Sequence, residues 1–304
     1  MAHIYIFSPS SAVRDKAAFR RGLKRLKALG HQVEVDEAAL ASHLRFAGDD
    51  ATRIAGIGRA AASGADVALI SRGGYGLTRI LPALPYKAIA KAIDAGTQFV
   101  GLSDFTAFNQ AVFAKTGRIS WQGPALGEDF GCEAEPDDIM QACFDDLLLE
   151  QGEGTGWQLP KAEDQRSVLV KNAPLWGGNL CVLTALLGTP YWPQVKGGVL
   201  FLEDVGEHPY RIERMLTQLL HAGVLAQQKA IVLGQFARYK LVPAHDKGFK
   251  LATVVAWLRS QIKTPVLTGL PFGHVPTKVL LPVGAKVDMV TEGRDALMVW
   301  GHIG

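Results

Sequence analysis

The chain has 304 residues, of which 48% are hydrophobic and 20% charged, and this ordinary globular composition excludes a disordered, collagen-like or coiled-coil protein. Lysine and arginine together number 32, and aspartate and glutamate 29. The resulting net charge of +3 gives no indication of a nucleic acid or an acidic membrane as partner, so a small partner is expected.

The first third of the chain alternates short apolar runs with amphipathic stretches, a pattern typical of a parallel sheet wrapped by crossover helices. The spacing of apolar residues predicts strands at 4–7, 33–35, 66–70 and 98–101, and helices at 15–29 and about 50–62. The last two strands each run into a glycine-bearing loop. In open α/β sheets such loops lie at the carboxyl ends of strands, where ligands bind.

The periodicity fades in residues 151–171, which are rich in glycine and charge. This segment is predicted to be a linker between an N-terminal α/β domain, 1–150, and a smaller mixed domain, 172–304. In the second domain the pattern predicts a helix from about 179, a strand at 198–202, a helix at 209–220 and short β runs over 266–299.

Three cysteines, Cys132, Cys143 and Cys181, have spacings that match neither a disulfide framework nor a zinc knuckle, so a reducing compartment is expected. The opening residues lack the basic and apolar regions of a secretory signal. No run approaches the roughly 18 apolar residues of a membrane span. We therefore predict a cytoplasmic protein with no membrane partner.

A serine follows the strand that ends at 101, in the sequence Gly101-Leu102-Ser103-Asp104, and a helical pattern comes next. A serine on such a strand-turn-helix is lifted clear of the sheet, and the N–H of the following residue points toward an oxyanion on an attacked carbonyl. The second glycine of the Gly-x-Ser-x-Gly pattern is Phe105 here. The alternative interpretation makes Asp104 a helix N-cap and Ser103 a loop residue.

A nucleophilic serine needs a histidine to take its proton and a carboxylate to orient that histidine. Among eight histidines, His274 lies in an apolar loop bracketed by prolines, which predicts a rigidly held imidazole. Glu203 ends an apolar strand, while Asp204 and Glu207 are positioned to cap the next helix, so Glu203 has no evident local role. The alternative for His274 is a hydrogen-bonded, partly buried loop histidine, and the alternative for Glu203 is an acid that caps the next helix.

The loop Ser71-Arg72-Gly73-Gly74-Tyr75-Gly76 lacks the lysine of a phosphate-binding loop and the spacing of a dinucleotide fingerprint. Gly73 or Gly74 is therefore predicted to bring a second N–H donor to the reacting centre. A plain tight turn is the alternative.

Seven segments spread over nearly the whole chain resemble one known family. They are IFSPSS, SRGGYG, GLSD, QGP, GGNL, LFLEDVGEHPYRIERML and LPFGHVPTKVLLPVG. In combination they are similar to the LD-carboxypeptidases, a serine peptidase family that also contains the microcin C immunity peptidases. The resemblance implies a triad of Ser103, Glu203 and His274, with the amides of Asp104 and Gly74 as the oxyanion hole. It also implies a flavodoxin-like or class I amidotransferase-like parallel-sheet N-terminal domain, a β-rich C-terminal domain of the swivelling type, a homodimer, no metal and no cofactor.

The resemblance implies a function as well. Typical members remove the terminal D-Ala from cytoplasmic murein tetrapeptide during cell-wall recycling, whereas the immunity members cleave an amide that joins a peptidyl residue to a nucleotide-like group. Chain length and the lack of an obvious long insertion beside the C-terminal strands favour the first. A carboxypeptidase must bind a free carboxylate, and Arg72, beside Gly73, is predicted to do so unless it pairs with a structural acid.

Two other classes of function fit parts of the sequence. A two-domain binding protein would use the glycine loop to hold an anion and perform no chemistry. An amidotransferase-like cysteine enzyme is disfavoured, since the apex of the strand-turn-helix holds Ser103 and no cysteine.

Overall fold

The computed structural model describes residues 1–163 and 167–303, which form two β-sheets with helices packed on them. The strands are β1 His3–Phe7, β2 Gln32–Val35, β3 Val67–Ile70, β4 Gln98–Gly101, β5 Ser120–Gln122, β6 Gly154–Gln158, β7 Leu169–Asn179, β8 Val199–Val205, β9 Ala230–Ala237, β10 Val266–Thr268, β11 Leu281–Val283, β12 Lys286–Glu292 and β13 Asp295–Val299. The α-helices are α1 Lys16–Ala28, α2 Asp50–Ala62, α3 Leu77–Ile80, α4 Tyr86–Asp94, α5 Phe105–Thr116, α6 Asp138–Leu148, α7 Leu180–Ala185, α8 Pro209–His221, α9 Pro243–Asp246 and α10 Leu251–Gln261.

The first sheet has the strand order β2-β1-β3-β4-β5-β11. Its first five strands pair in parallel, in the order of flavodoxin-like folds, and β11 adds an antiparallel edge from the far end of the chain. The predicted parallel sheet with crossover helices is confirmed.

Alternation of side chains explains why the central strands of this sheet are continuous apolar runs. Ile4 and Ile6 of β1 pack into one hydrophobic cluster, whereas Tyr5 and Phe7 pack into another. Successive residues of a strand point to opposite faces, so β1 presents apolar side chains on both faces of the sheet. Helices cover both faces, which is typical of parallel sheets.

The second sheet has the order β10-β9-β8-β7-β12-β13-β6, parallel from β10 to β7 and antiparallel beyond it. The predicted β-rich second half is therefore confirmed. The segment predicted to be a linker, 151–171, contains β6 and the start of β7, and part of it lies outside the described residues. The domain boundaries stay a prediction.

The two halves share one core where α5 packs against β7 and α7. Phe105 and Phe108 of α5 belong to the same hydrophobic cluster as Trp176 and Leu180. The carboxyl end of β7 therefore lies against the beginning of α5, which places the turn after β4 beside the second sheet. Within the described ranges, no helix is both long and apolar enough to cross a membrane.

Candidate active site

Ser103 occupies a tight turn between β4 and α5, as the sequence predicts. Its backbone has a φ of 68°, in the left-handed region that residues other than glycine rarely adopt. Such strain is typical of a serine held at the apex of a strand-turn-helix, where its hydroxyl is presented away from the sheet.

Asp104 occupies the N-cap position of α5, but its side chain makes no capping hydrogen bond, so the capping role of that alternative is not found. Its carboxylate is 1% exposed and makes no bond to the first turn of the helix. Instead it accepts hydrogen bonds from Ser10 Oγ at 2.7 Å and from the amide of Leu77 at 2.9 Å. Burial raises the pKa of Asp104 despite these bonds. Asp104 thereby anchors the glycine loop and the loop after β1 to the serine turn.

The glycine loop lies directly against Ser103. A Cβ atom at Gly73 would lie 2.6 Å from Cβ of Ser103 and 2.9 Å from its Oγ, so only glycine fits there without displacement. Gly74 has a φ of 111°. In the described part of the chain, the N–H groups of Gly74 and Asp104 donate to no other group. Both predicted oxyanion donors are thus unpaired.

His274 and Glu203 form a buried hydrogen-bonded pair. Nδ1 of His274 lies 2.7 Å from Oε2 of Glu203, and the two residues are 8% and 0% exposed. A carboxylate only accepts hydrogen bonds, so the proton of a neutral imidazole lies on Nδ1 and Nε2 keeps its lone pair. Burial by itself lowers the pKa of His274, but the hydrogen bond and charge of Glu203, with the charge of Glu128, raise it above its usual value.

Asn179, at the end of β7, joins this pair to the serine turn. Its Nδ2 donates to Oε1 of Glu203 at 3.1 Å, and its backbone N–H donates to Oγ1 of Thr106 at 3.0 Å. Thr106 is the second residue of α5 and lies three positions after Ser103 in the sequence. Asn179 follows Gly177 and Gly178, which bring β7 close enough to α5 for Gln110 Nε2 to donate to the carbonyl of Gly177 at 2.7 Å.

Asp204 also serves this site, and the expectation that it caps the helix at 209 is wrong. It accepts from Asn179 Nδ2 and from the amide of Cys181, each at 2.9 Å, whereas His208 caps α8. Burial, together with the charge of Glu203, raises the pKa of Asp204 to about 6. Neither Asn179 nor Asp204 is predicted to be a site residue from the sequence. The motifs GGNL and LFLEDVGE did contain a signal, a polar residue directly after a glycine pair and a second acid beside Glu203.

Arg72 lies in the wall of a cavity of about 240 Å³, which Arg14, Ser71 and Glu128 also line. Its Nη1 donates to the carbonyl of Ala12 at 3.2 Å, and among the described residues no acid pairs with it. The alternative of a structural ion pair is therefore not found, and the guanidinium has donors left for an anion.

The structure thus brings Glu203 and His274 into contact and sets Gly73 against Ser103. The chain of contacts through Thr106 and Asn179 connects the two groups. Among the described residues, no three histidine, cysteine or acidic side chains come together in a way that would hold a metal ion.

Comparison with known proteins identifies the family of the chain. The chain matches the models of the LD-carboxypeptidase N-terminal domain over residues 4–123 and of the LD-carboxypeptidase C-terminal domain over 172–289. It is 31% identical to the probable murein peptide carboxypeptidase of Bacillus subtilis, over 97% of this chain and 91% of that protein. It resembles the crystal structure of muramoyltetrapeptide carboxypeptidase from Oxalobacter formigenes, with a TM-score of 0.88, 38% identity and 98% of both chains covered. It is 29% identical to the microcin C7 self-immunity protein MccF of Escherichia coli, over 73% of this chain and 70% of that protein.

Replacing Glu203 by glutamine tests whether its negative charge raises the pKa of His274. Glutamine removes the negative charge that raises the pKa of His274, so burial dominates and the pKa falls below its ordinary value of about 6.5. We expect kcat to fall by about 10⁴-fold, and the acid limb of activity, which requires a neutral imidazole, to move to lower pH. Ring NMR of His274, assigned with a His274→Gln sample, measures the pKa. An unchanged pKa in Glu203→Gln would contradict this interpretation.

Gly73→Ala tests the close approach to Ser103. The added methyl group displaces the serine side chain, and a misplacement of about 1 Å costs on the order of 10²-fold in kcat/KM. Gly58→Ala is the matched control, since a Cβ atom there meets nothing within 4 Å and activity should be retained. Full activity in a folded Gly73→Ala variant would show that the contact between Gly73 and Ser103 does not position the serine hydroxyl for reaction.

Proposed function

The chain belongs to the LD-carboxypeptidase family, and from this premise we propose that it hydrolyses the L,D-peptide bond before the terminal D-Ala of cytoplasmic murein tetrapeptide, in cell-wall recycling. The observation that carries the proposal is the buried hydrogen bond of 2.7 Å between His274 Nδ1 and Glu203 Oε2. It leaves Nε2 of His274 as the basic atom that a serine nucleophile requires.

In the proposed mechanism, Oγ of Ser103 attacks the scissile carbonyl while Nε2 of His274 takes the hydroxyl proton. The N–H groups of Asp104 and Gly74 stabilise the negative oxygen of the tetrahedral intermediate. The intermediate collapses with cleavage of the peptide C–N bond, and His274 gives its proton to the departing amine of D-Ala. A water molecule then attacks the ester on Ser103, with His274 as base, and releases the shortened peptide. Glu203 keeps the imidazole in one tautomer and stabilises its charged form throughout.

Removal of a terminal residue also requires recognition of a free carboxylate. Arg72 supports this role, because it adjoins Gly73, lines a cavity and has no acidic partner among the described residues. A guanidinium binds a carboxylate through two parallel hydrogen bonds. We propose that Arg72 holds the carboxylate of D-Ala beside Ser103, with Gly73 allowing the close approach.

The degree of sequence identity favours a murein peptide over a peptidyl nucleotide. The chain is 38% identical to the muramoyltetrapeptide carboxypeptidase of Oxalobacter formigenes over 98% of its length, and 29% identical to the microcin self-immunity protein over 73%. We further propose that the enzyme acts in the cytoplasm as a homodimer.

A comparison of wild type and Ser103→Ala tests the proposed function. Wild type should release D-Ala from murein tetrapeptide, detected by mass spectrometry, and a fluorophosphonate probe should label Ser103. Loss of the nucleophile should lower kcat by about 10⁶-fold, while circular dichroism shows an intact fold. Substantial hydrolysis by Ser103→Ala would refute the assignment of the nucleophile.

The same assay distinguishes the alternatives. Cleavage of a peptidyl nucleotide with an inert tetrapeptide would assign the chain to the immunity type. If the folded protein cleaves neither substrate and the probe does not label it, a small-ligand-binding protein without catalysis is indicated.

A further inference from the structure

The loop that carries His274 connects the two halves of the molecule. At its start it is bound to the second sheet, because the carbonyl of Phe272 accepts a hydrogen bond from the amide of Gln235 of β9 at 2.8 Å. At its end it runs into β11, which pairs with β5 of the first sheet. The position of the imidazole relative to Ser103 therefore depends on how both ends of this loop are attached.

Lys278 attaches the loop to the half that carries the serine. Its ammonium group forms an ion pair with Asp129, in the turn Leu126–Phe130, and the two residues are 2% and 6% exposed. The other oxygen of Asp129 accepts a hydrogen bond from the amide of Ala125 at 2.8 Å. A buried ion pair therefore joins the histidine loop to this turn.

That turn is itself attached to the glycine loop. The amide of Gly127 donates to the carbonyl of Ser71, the first residue of the glycine loop, at 2.9 Å. Since Gly73 of the same loop lies against Ser103, a continuous set of contacts runs from the nucleophile to the turn and on to the histidine loop. This connection is separate from the one through Asn179.

Thr277 provides a second attachment, at the neighbouring position of the loop. Its Oγ1 donates to Oδ2 of Asp137 at 2.6 Å. Asp137 is the N-cap of α6, and its other oxygen accepts from the amides of Ile139 and Met140. Two adjacent side chains thus hold the end of the histidine loop to the first half of the molecule.

Burying two charges is costly, and a pair of apolar side chains would often stabilise a fold at least as well as a buried ion pair. The ion pair does impose a defined geometry, because separating its partners leaves each charge uncompensated. We propose that Lys278 is a positioning residue of the reaction, whose ion pair with Asp129 fixes the loop so that Nε2 of His274 reaches Oγ of Ser103. This inference rests on the triad of the proposed function and adds the residue that sets its geometry.

Lys278 also affects the protonation of the imidazole. The charged groups that contact His274 or line the same cavity of about 140 Å³ are Glu203, Glu128, Asp129, Glu135, Asp137, Arg238 and Lys278. Glu203 and Glu128 raise the pKa of His274, whereas the positive charge of Lys278 lowers it. Loss of this ammonium group therefore raises the pKa of His274. The acid limb of the reaction, which requires a neutral imidazole, then moves to higher pH.

Lys278→Met tests the inference, because it removes the charge and nearly keeps the length of the side chain. A misplacement of about 1 Å costs on the order of 10²-fold in rate, so labelling of Ser103 by a fluorophosphonate should slow by about that factor. In hydrolysis of murein tetrapeptide, kcat should fall with KM little changed. The acid limb of labelling should move to higher pH. A merely structural role would lower thermal stability and leave the acid limb in place.

Two further variants separate positioning from folding. Lys278→Met combined with Asp129→Leu replaces the pair by apolar side chains, so no buried charge is left unpaired. Slow labelling and the moved acid limb should both persist in this variant. Arg259→Met is the matched control, because it removes the cation that pairs with the buried carboxylate of Glu163, and neither residue lines the cavity of His274. It should keep the wild-type labelling rate and pH profile.

A wild-type labelling rate or an unmoved acid limb in folded Lys278→Met would overturn this inference and leave the proposed function standing. If wild type is labelled at Ser103 but does not cleave the tetrapeptide, the proposed substrate fails, and the labelling rates alone decide the inference. If wild type is not labelled at Ser103, the triad fails and the inference fails with it.

Discussion

A carboxylate that solvent does not reach must be compensated by hydrogen bonds, and Glu203 obtains them from two directions. One oxygen accepts from His274, the other from Asn179, and Glu203 itself is 0% exposed. Removing either donor would leave a buried charge poorly satisfied, so the pair is held in one geometry. The same compensation fixes the imidazole tautomer and, through the bond from Asn179 to Thr106, ties the second sheet to the helix that follows Ser103.

Backbone geometry also positions the serine turn, in addition to these hydrogen bonds. Ser103 adopts a φ of 68°, and Gly73 leaves room for its side chain, so the serine turn and the glycine loop meet at contact distance. The carboxylate of Asp104, which is almost fully buried, links the serine turn to the end of the glycine loop by accepting a hydrogen bond from the amide of Leu77. The strain at the turn is therefore offset by packing and hydrogen bonding around it, which is the usual arrangement at a preorganised site.

Local patterns in the sequence predict much of this arrangement. The apolar run before Ser103, the proline-bracketed loop around His274 and the apolar strand before Glu203 each identify a rigidly held polar residue. The contacts of Asn179 and Asp204 are not predictable in the same way, because they depend on how β7 and β8 pair and on the approach of α5. The antiparallel strand β11 joins the first sheet from the far end of the chain, which no local pattern indicates.

We propose that both halves of the molecule assemble one proton-transfer unit around the hydroxyl of Ser103. A crystal structure of the protein after reaction with a fluorophosphonate tests this arrangement. We expect a covalent phosphonyl group on Oγ of Ser103, with Nε2 of His274 about 3 Å from that oxygen and Nδ1 still bound to Glu203. A phosphonyl group on another residue, or an imidazole well outside hydrogen-bond distance of Ser103 in the adduct, would refute the proposed triad.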